Sequence, residues 1–365
     1  MKKYDYVIVG SGLFGSTFAY EAARRGKTCL VLEKRDHIGG NIYTQERDGI
    51  NIHLYGAHIF HTSNQMVWDY INQFAKFNNY INSPIANYHG QLYNLPFNMN
   101  TFYQMWRTIT PSQVREKLKD QRVSIAEPKN LEEQALSLVG HDVYERLIKG
   151  YTQKQWGRPC TELPASIIKR IPLRFRFDNN YFNDTYQGIP IGGYTRIIEK
   201  LLRDVEVRLS VDFNNEQDAY ERIANKILYT GALDAYFHQC YGPLDFRSEI
   251  FELKRYETDN YQGVAVMNYT DSDIPYTRSI EHKFFEFGEE KVTWVSYEYS
   301  VDYQVTQEPY YPINDEKNDA LYERYHALAQ KKDTLLLGGR LAEYKYYDMD
   351  KTILCALSLV EKEFG

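Results

Sequence analysis

Tyr4-Asp5-Tyr6-Val7-Ile8-Val9-Gly10-Ser11-Gly12-Leu13-Phe14-Gly15, running on to Leu30-Val31-Leu32-Glu33-Lys34, is the stretch that decides the fold. The β-branched run Val7-Ile8-Val9 predicts a buried strand, and it ends in glycines spaced G-x-G-x-x-G. A helical pattern starts at Ser16 (Ala19, Tyr20, Ala22, Ala23), and a second apolar run, Cys29 to Leu32, ends at Glu33. Gly10 allows a sharp turn, Gly12 lets backbone N–H groups approach a pyrophosphate, and Gly15 lets helix and strand pack closely. Glu33 closes the second strand where a carboxylate accepts hydrogen bonds from an adenosine ribose. Glycine spacing alone also serves ordinary tight turns. A strand before it, a helix after it and an acid at this distance together predict a dinucleotide site.

The next residues choose between dinucleotides. Arg35-Asp36-His37-Ile38-Gly39-Gly40-Asn41 adds a second glycine pair directly after the ribose acid, where an NAD domain would move on to another helix. The pair resembles that of FAD-binding flavoproteins. Near the end, Leu335-Leu336-Leu337-Gly338-Gly339-Arg340 predicts a late strand returning to the first sheet. A helical pattern from about Asp350 follows it and could turn N–H dipoles toward a flavin, favouring its anionic reduced form. FAD is therefore expected rather than NAD.

The 365 residues suffice for two or three domains with a large core. A net charge of −6 argues against a general nucleic-acid surface, so an anionic ligand must be held by a few placed arginines. Cys29, Cys160, Cys240 and Cys355 lack metal or disulfide spacing. No apolar run reaches membrane-spanning length and no basic leader is evident, so a cytoplasmic protein without membrane insertion is expected. The 33 tyrosines supply stacking faces and hydroxyl donors.

Along the chain, 66–77 has helical periodicity, and 83–155 reads as mostly helical with Pro96, Pro111 and Pro128 as punctuation. Residues 156–174 are loop-like. A helix over 195–202, a strand over 205–213 and a helix-then-strand over 221–229 suggest a return to the nucleotide sheet. Alternation from about 244 to 303 predicts antiparallel strands. The expected architecture is α/β: a discontinuous Rossmann-like FAD-binding domain (1–80, 190–240, 315–365), a helical insert (81–160) and an antiparallel sheet domain (161–189, 241–314). A mobile loop is expected near 156–174, and substrate where the three parts meet.

Several words of sequence, in order along nearly the whole chain, resemble bacterial UDP-galactopyranose mutase. They are Tyr55-Gly56-Ala57-His58-Ile59-Phe60-His61-Thr62, Asn94-Leu95-Pro96-Phe97-Asn98, Gly150-Tyr151-Thr152-Gln153-Lys154-Gln155-Trp156, Ile168-Lys169-Arg170-Ile171-Pro172, Asn179-Asn180-Tyr181-Phe182, Pro275-Tyr276-Thr277-Arg278, Glu308-Pro309-Tyr310-Tyr311-Pro312 and Gly338 through Met349. The resemblance implies an isomerase that interconverts UDP-galactopyranose and UDP-galactofuranose. N5 of the reduced flavin attacks the anomeric carbon while UDP leaves and returns, with no net redox change. It also implies a commonly dimeric enzyme, a reductant such as NAD(P)H or a reductase, and a product used in cell-surface polysaccharide.

By the same resemblance, Arg278 and Arg170 are the two phosphate arginines, the second on the mobile loop. Tyr151 stacks near the uracil and Trp156 flanks the sugar-phosphate region. Tyr181, Tyr311 and Tyr346 donate hydroxyls toward the diphosphate, and Asn82, Thr152 and Asn268 add polar contacts. His58 stands against the flavin near N5 and is counted with the two arginines as catalytic. The cofactor is expected on Gly10, Gly12, Phe14, Gly15, Glu33, Lys34, Gly40, Asn41, His58, Ile59, Asp212, Phe213, Arg340, Asp348 and Met349. Asp348 and Glu298 are secondary sugar-proximal carboxylates or partners of Arg340 or a tyrosine. His58 and His61 lack a third ligand at useful spacing, so no metal is expected. The competing readings are an amine-oxidase-like flavin oxidoreductase and a silent flavoprotein scaffold. The arginine–tyrosine set disfavours the first, because amines need no anion clamp.

Overall fold

A computed structural model describes residues 3–168 and 172–365. Among these, a five-stranded parallel sheet runs in the order Leu335–Leu337, Ala224–Tyr229, Tyr4–Val9, Cys29–Leu32, Glu206–Arg208. Its central strands carry apolar residues on both faces, as a sheet covered on both sides requires. Ile8, Val31 and Leu228 pack with Phe18, Ile353 and Val360 under helices Leu13–Arg24 and Met349–Phe364. Val7, Leu30, Ile227 and Tyr229 pack on the opposite face with Phe213, Leu233 and Tyr325. The order reverses at Tyr4–Val9, which opens a crevice at the carboxyl ends of the strands.

The segment expected as a strand over 205–213 pairs only at Glu206–Arg208. Beyond it the backbone N–H groups of Ser210 and Val211 donate to the carbonyls of Arg35 and Glu33. That turns Asp212 and Phe213 back over the crevice.

The second layer is a seven-stranded sheet in the order Tyr311–Pro312, Phe246–Tyr256, Thr293–Asp302, Arg278–Glu281, Val266–Tyr269, Ile85–Tyr88, Gln91–Asn94. Its pairings are antiparallel except between Val266–Tyr269 and Ile85–Tyr88. The last two strands correct the expectation that the chain is helical from residue 81. His89 and Gly90 both take positive φ (48° and 80°), the two-residue turn that closes a hairpin. The helical subdomain begins only at Met99–Trp106 and continues through Pro111–Gln121, Leu131–Val143 and Gly150–Trp156. Its core (Phe102, Val114, Leu118, Leu131, Ala135, Val139) joins Ala86 and Tyr93 of the hairpin.

Helix Gly150–Trp156 lies directly on the end of this sheet. A methyl group at Gly150 would fall 2.4 Å from the Thr270 carbonyl, so only glycine permits that approach. Lys154 fastens the helix by donating to the carbonyls of Tyr269 (2.8 Å), Ile274 (2.9 Å) and Tyr276 (3.1 Å). Burial lowers this ammonium to about 8. From the other side, Arg247 Nε (2.9 Å) and Ser300 Oγ (2.8 Å) donate to the Gln155 carbonyl.

Candidate active site

A cavity of about 440 Å³ fills the crevice. Thirteen of the fifteen residues expected to hold a cofactor line it: Gly10, Gly12, Phe14, Gly15, Glu33, Lys34, Gly40, Asn41, His58, Asp212, Phe213, Arg340 and Met349. Ile59 does not. Adjacent residues of an extended segment point opposite ways, so with His58 facing the cavity, Ile59 packs among Tyr80, Ile189, Val266, Ile280 and Phe285. Asp348 stands just outside, ahead of helix Met349–Phe364, where its carbonyl accepts from Thr352 N (2.9 Å).

Two observations show that the cavity suits a dinucleotide. A methyl group placed on Gly12 would meet no atom within 4 Å, so packing does not demand glycine there and the open space lies toward the cavity. Gly15 is the opposite case, since its methyl would fall 2.2 Å from the Gly10 carbonyl. Second, Arg35 Nη1 is buried without a partner, while Nη2 donates to Asn41 Oδ1 (3.1 Å) and Glu308 Oε2 (3.4 Å). A partly buried guanidinium with one nitrogen lacking a hydrogen-bond acceptor, beside a cradle of backbone amides, suits a phosphate-bearing ligand. Glu33 accepts from Ser11 N (3.0 Å), Ser11 Oγ (2.7 Å) and Arg35 N (3.0 Å). A carboxylate has about four acceptor sites, so capacity for a ribose hydroxyl remains.

The antiparallel sheet supplies the other half. Alternation along its strands puts Tyr311, Glu249, Glu298, Arg278 and Asn268 on one face, on five adjacent strands. Arg278 and Glu298 are directly opposite in register and form a two-point fork, Nε to Oε1 and Nη2 to Oε2, both 2.8 Å. Burial, the largest influence, opposes the Arg278 charge, but Glu298, Tyr151, Glu249 and Tyr311 together outweigh it and hold the guanidinium protonated. Tyr151, on helix Gly150–Trp156, lies within reach of the Arg278 charge. Burial raises its phenol, with Arg278 opposing. Asn82 Oδ1 and Asn268 Oδ1 are both buried with no hydrogen-bond partner, so two residues expected to touch substrate carry unused acceptors.

Arg340 joins the halves. It lines the cavity, donates from Nη2 to the Tyr347 carbonyl (2.7 Å), and lies 5.6 Å and 4.7 Å from the ring centres of Tyr311 and Tyr346. Glu298 thus partners Arg278, not Arg340. Thr152 is buried on the same helix as Tyr151, and Trp156 is packed against the helical core at its end. Tyr181 is 44% exposed, and Arg174 fixes its loop by donating to the carbonyls of Asn180 and Tyr181 and to Asn183 Oδ1. Arg170 lies outside the described residues.

His58 is neutral. Burial first, then Arg340 and Arg278, push it down to about 4 against the opposing bond to Gly56. Its Nδ1 sits 2.8 Å from the Gly56 carbonyl and so carries the proton, leaving Nε2 as an acceptor. Behind it, His58 N donates to His53 Nδ1 (3.2 Å) and His53 N donates to His282 Nδ1 (3.2 Å). His282 Nε2 then donates to Ser296 Oγ (2.6 Å). His61 belongs elsewhere: it bonds Asp184 (2.7 Å) and stacks on Phe182.

Sequence reasoning missed Glu249, Arg35, Ser11 and Arg174 as parts of the site. Glu249 was detectable in principle, since Arg247, Glu249 and Phe251 alternate on one strand face and a lone carboxylate in a buried row is a conspicuous choice.

Comparison with known proteins follows the same division. A family model described as UDP-galactopyranose mutase matches residues 146–346, and one described as an NAD(P)-binding Rossmann-like domain matches residues 8–74. A probable UDP-galactopyranose mutase of Klebsiella pneumoniae is 42% identical, covering 99% of this chain and 95% of its own. A dTDP-fucopyranose mutase of Escherichia coli is 37% identical over 97% of both chains. A crystal structure of reduced UDP-galactopyranose mutase superposes with a TM-score of 0.75 at 14% identity, covering 99% of this chain and 96% of the other.

Proposed function

We propose that this chain, which belongs to the UDP-galactopyranose mutase family, interconverts UDP-galactopyranose and UDP-galactofuranose with reduced FAD held in the crevice. The observation that carries this reading is the meeting of His58, Arg340 and Arg278 where the dinucleotide cavity opens onto the sheet face. Bound and reduced, FAD supplies the nucleophilic chemistry at the anomeric carbon. The chain's own residues bind, orient and hold charge.

Backbone amides at Gly12 and the start of helix Leu13–Arg24 take the cofactor's pyrophosphate, Arg35 Nη1 adds a donor, and Glu33 takes the ribose. His58, with Nδ1 committed to the Gly56 carbonyl, would offer Nε2 as an acceptor to the flavin. Arg278, aimed by Glu298, holds the substrate diphosphate as it leaves and returns, with Arg170 as the second fork. Tyr181, Tyr311 and Tyr346 add hydroxyl donors, Tyr151 supports the uracil, Thr152 and Trp156 line the sugar-phosphate path, and the open carbonyls of Asn82 and Asn268 take donor groups.

A family match over residues 146–346, beyond the nucleotide unit that oxidases share, disfavours the amine-oxidase reading. No helix among the described residues is long and apolar enough to cross a membrane. The wider setting we propose is a cytoplasmic homodimer. It is reduced by NAD(P)H or a reductase and serves cell-surface polysaccharide assembly. The test is to incubate dithionite-reduced, FAD-loaded protein with UDP-galactofuranose and resolve the products by chromatography. UDP-galactopyranose should form with reduced protein and not with oxidised protein. The furanose and pyranose forms of dTDP-fucose are the second pair to try, given the 37%-identical relative. Isomerisation of that pair alone would move the substrate assignment.

A further inference from the structure

Glu249 is a buried carboxyl with no basic side chain paired to it among the described residues, next to a second buried carboxyl that has one. Register sets the relation. Glu249 lies opposite Ser300, and Glu298 is two residues from Ser300 on the same strand, so the two glutamates are diagonal neighbours on one face. They are 6% and 1% exposed. Both Glu298 oxygens are taken by Arg278, and Thr277 Oγ1 donates to Oε1 (3.3 Å). Two adjacent carboxylates out of water resist ionising together, and only Glu298 has a cation paired directly to it.

We infer that Glu249 and Glu298 share a single proton, and that Glu249 is a positioning residue which keeps the anion site one charge more positive than its residue types suggest. With the proton on Glu249, its O–H donates to Glu298, and Glu298 keeps the charge that aims Arg278. Arg278, Arg340, Glu298 and neutral Glu249 then sum to one positive charge facing the diphosphate. Loss of the proton brings the sum to zero. Burial first and then Glu298 hold the Glu249 carboxyl well above the ordinary carboxylate range, against Arg278 and Arg340. The other groups facing it are Tyr310 and Tyr311 beside its strand, Tyr151 from the overlying helix and Arg247 on its own strand. Burial raises all three phenols, so they stay neutral while the pair titrates.

This inference rests on the reading of Arg278 as the diphosphate arginine, and the test separates the two. The affinity of FAD-loaded protein for UDP is measured by calorimetry from pH 7 to pH 9.5, in wild type and Glu249→Gln. The ligand's own titrations are common to both proteins, so the difference between the profiles is the readout. Wild type should weaken relative to Glu249→Gln by roughly tenfold across the range, as one carboxylate charge appears beside the anion. Parallel profiles from a wild type that shows no protonated-carboxyl infrared band would overturn the shared proton. Weak binding by wild type that Arg278→Ala leaves unaltered would instead overturn the site reading beneath it. Infrared difference spectra give a check that needs no folded variant. Wild type should show a protonated-carboxyl band at pH 7 that disappears along the same alkaline limb, and absence of that band at pH 7 would refute the pair.

Discussion

The crevice at the parallel sheet and the face of the antiparallel sheet are built by different means. One wall of the crevice is made largely of backbone, the glycine turns at 10–15 and 39–40, and segments between residues 211 and 352 close around it. Its glycines act through what they lack, and its principal acid, Glu33, is satisfied by Ser11 and Arg35 before any ligand arrives. The sheet face is made of side chains from strands far apart in sequence. It retains unused polar capacity, with a buried carbonyl open at Asn268, another at Asn82 ahead of strand Ile85–Tyr88, and an arginine aimed by a carboxylate. On the proposed reading, the first region holds a group permanently and the second holds one transiently.

Arg278→Ala is the strongest way to break that comparison. It should lower turnover by about a hundredfold or more while FAD stays bound, because on the proposed reading this charge-assisted fork holds the substrate diphosphate, and Arg278 does not line the crevice. Arg278→Lys is the control for the stability lost when Glu298 is left alone, since it keeps the charge and removes the two-point geometry. Loss of flavin absorbance from either purified variant would mean the two regions are not separable.

The histidines that connect the regions give the next effect. Burial pushes His282 down to about 3, and with His53 and His58 it is neutral in the folded state. The unfolded chain binds protons near pH 6.5 that the folded chain refuses, so this stability is complete above pH 6.5 and is lost as pH falls toward the folded values. The slope should approach ~1.4 kcal/mol per pH unit for each such histidine. Urea unfolding at pH 6.5 and pH 4.5 measures it, and His282→Gln should remove one histidine's share. A flat profile in wild type would show that the imidazoles are not held neutral.

The same division explains what could be read in advance. The glycine wall of the crevice is local in sequence, so Gly10 to Gly15, Glu33 and Gly40 could be grouped from the sequence, and the late Gly338-Gly339 pair brought in Arg340; all of them line one cavity. Glu249 was not, because its meaning comes from register with Glu298 and Arg278, and a strand gives no sign of its partners until the sheet is assembled. The hairpin Ile85–Asn94 was hidden in a stretch read as helical, although His89-Gly90 marked its turn. Ile59 was expected at the cofactor together with His58, yet extended backbone sends consecutive side chains to opposite sides.

Gly12→Ala sharpens the contrast inside the crevice. An added methyl there meets no protein atom, so the apo protein should fold with unchanged stability while FAD affinity drops roughly tenfold, about 1.4 kcal/mol. Gly15→Ala should do the reverse and fail first at folding, since its methyl would strike the Gly10 carbonyl. Thermal unfolding with and without added FAD distinguishes the two. Equal damage to the apo proteins would mean that Gly12, too, is there for packing.

The smallest expected effect tests the idea that the sheet face carries unused capacity. Asn268 Oδ1 is buried and unpartnered, a cost that folding bears and that only a bound donor relieves. Asn268→Leu removes the polar group at similar volume. It should stabilise the ligand-free protein by about 1 kcal/mol and raise KM a few-fold with little change in kcat. Stability and binding moving in opposite directions is the mark of a polar group kept for a ligand rather than for the fold. If Asn268→Leu instead lowers stability and leaves KM alone, the carbonyl is a structural element of its strand, and the face is less open than its unpaired atoms indicate.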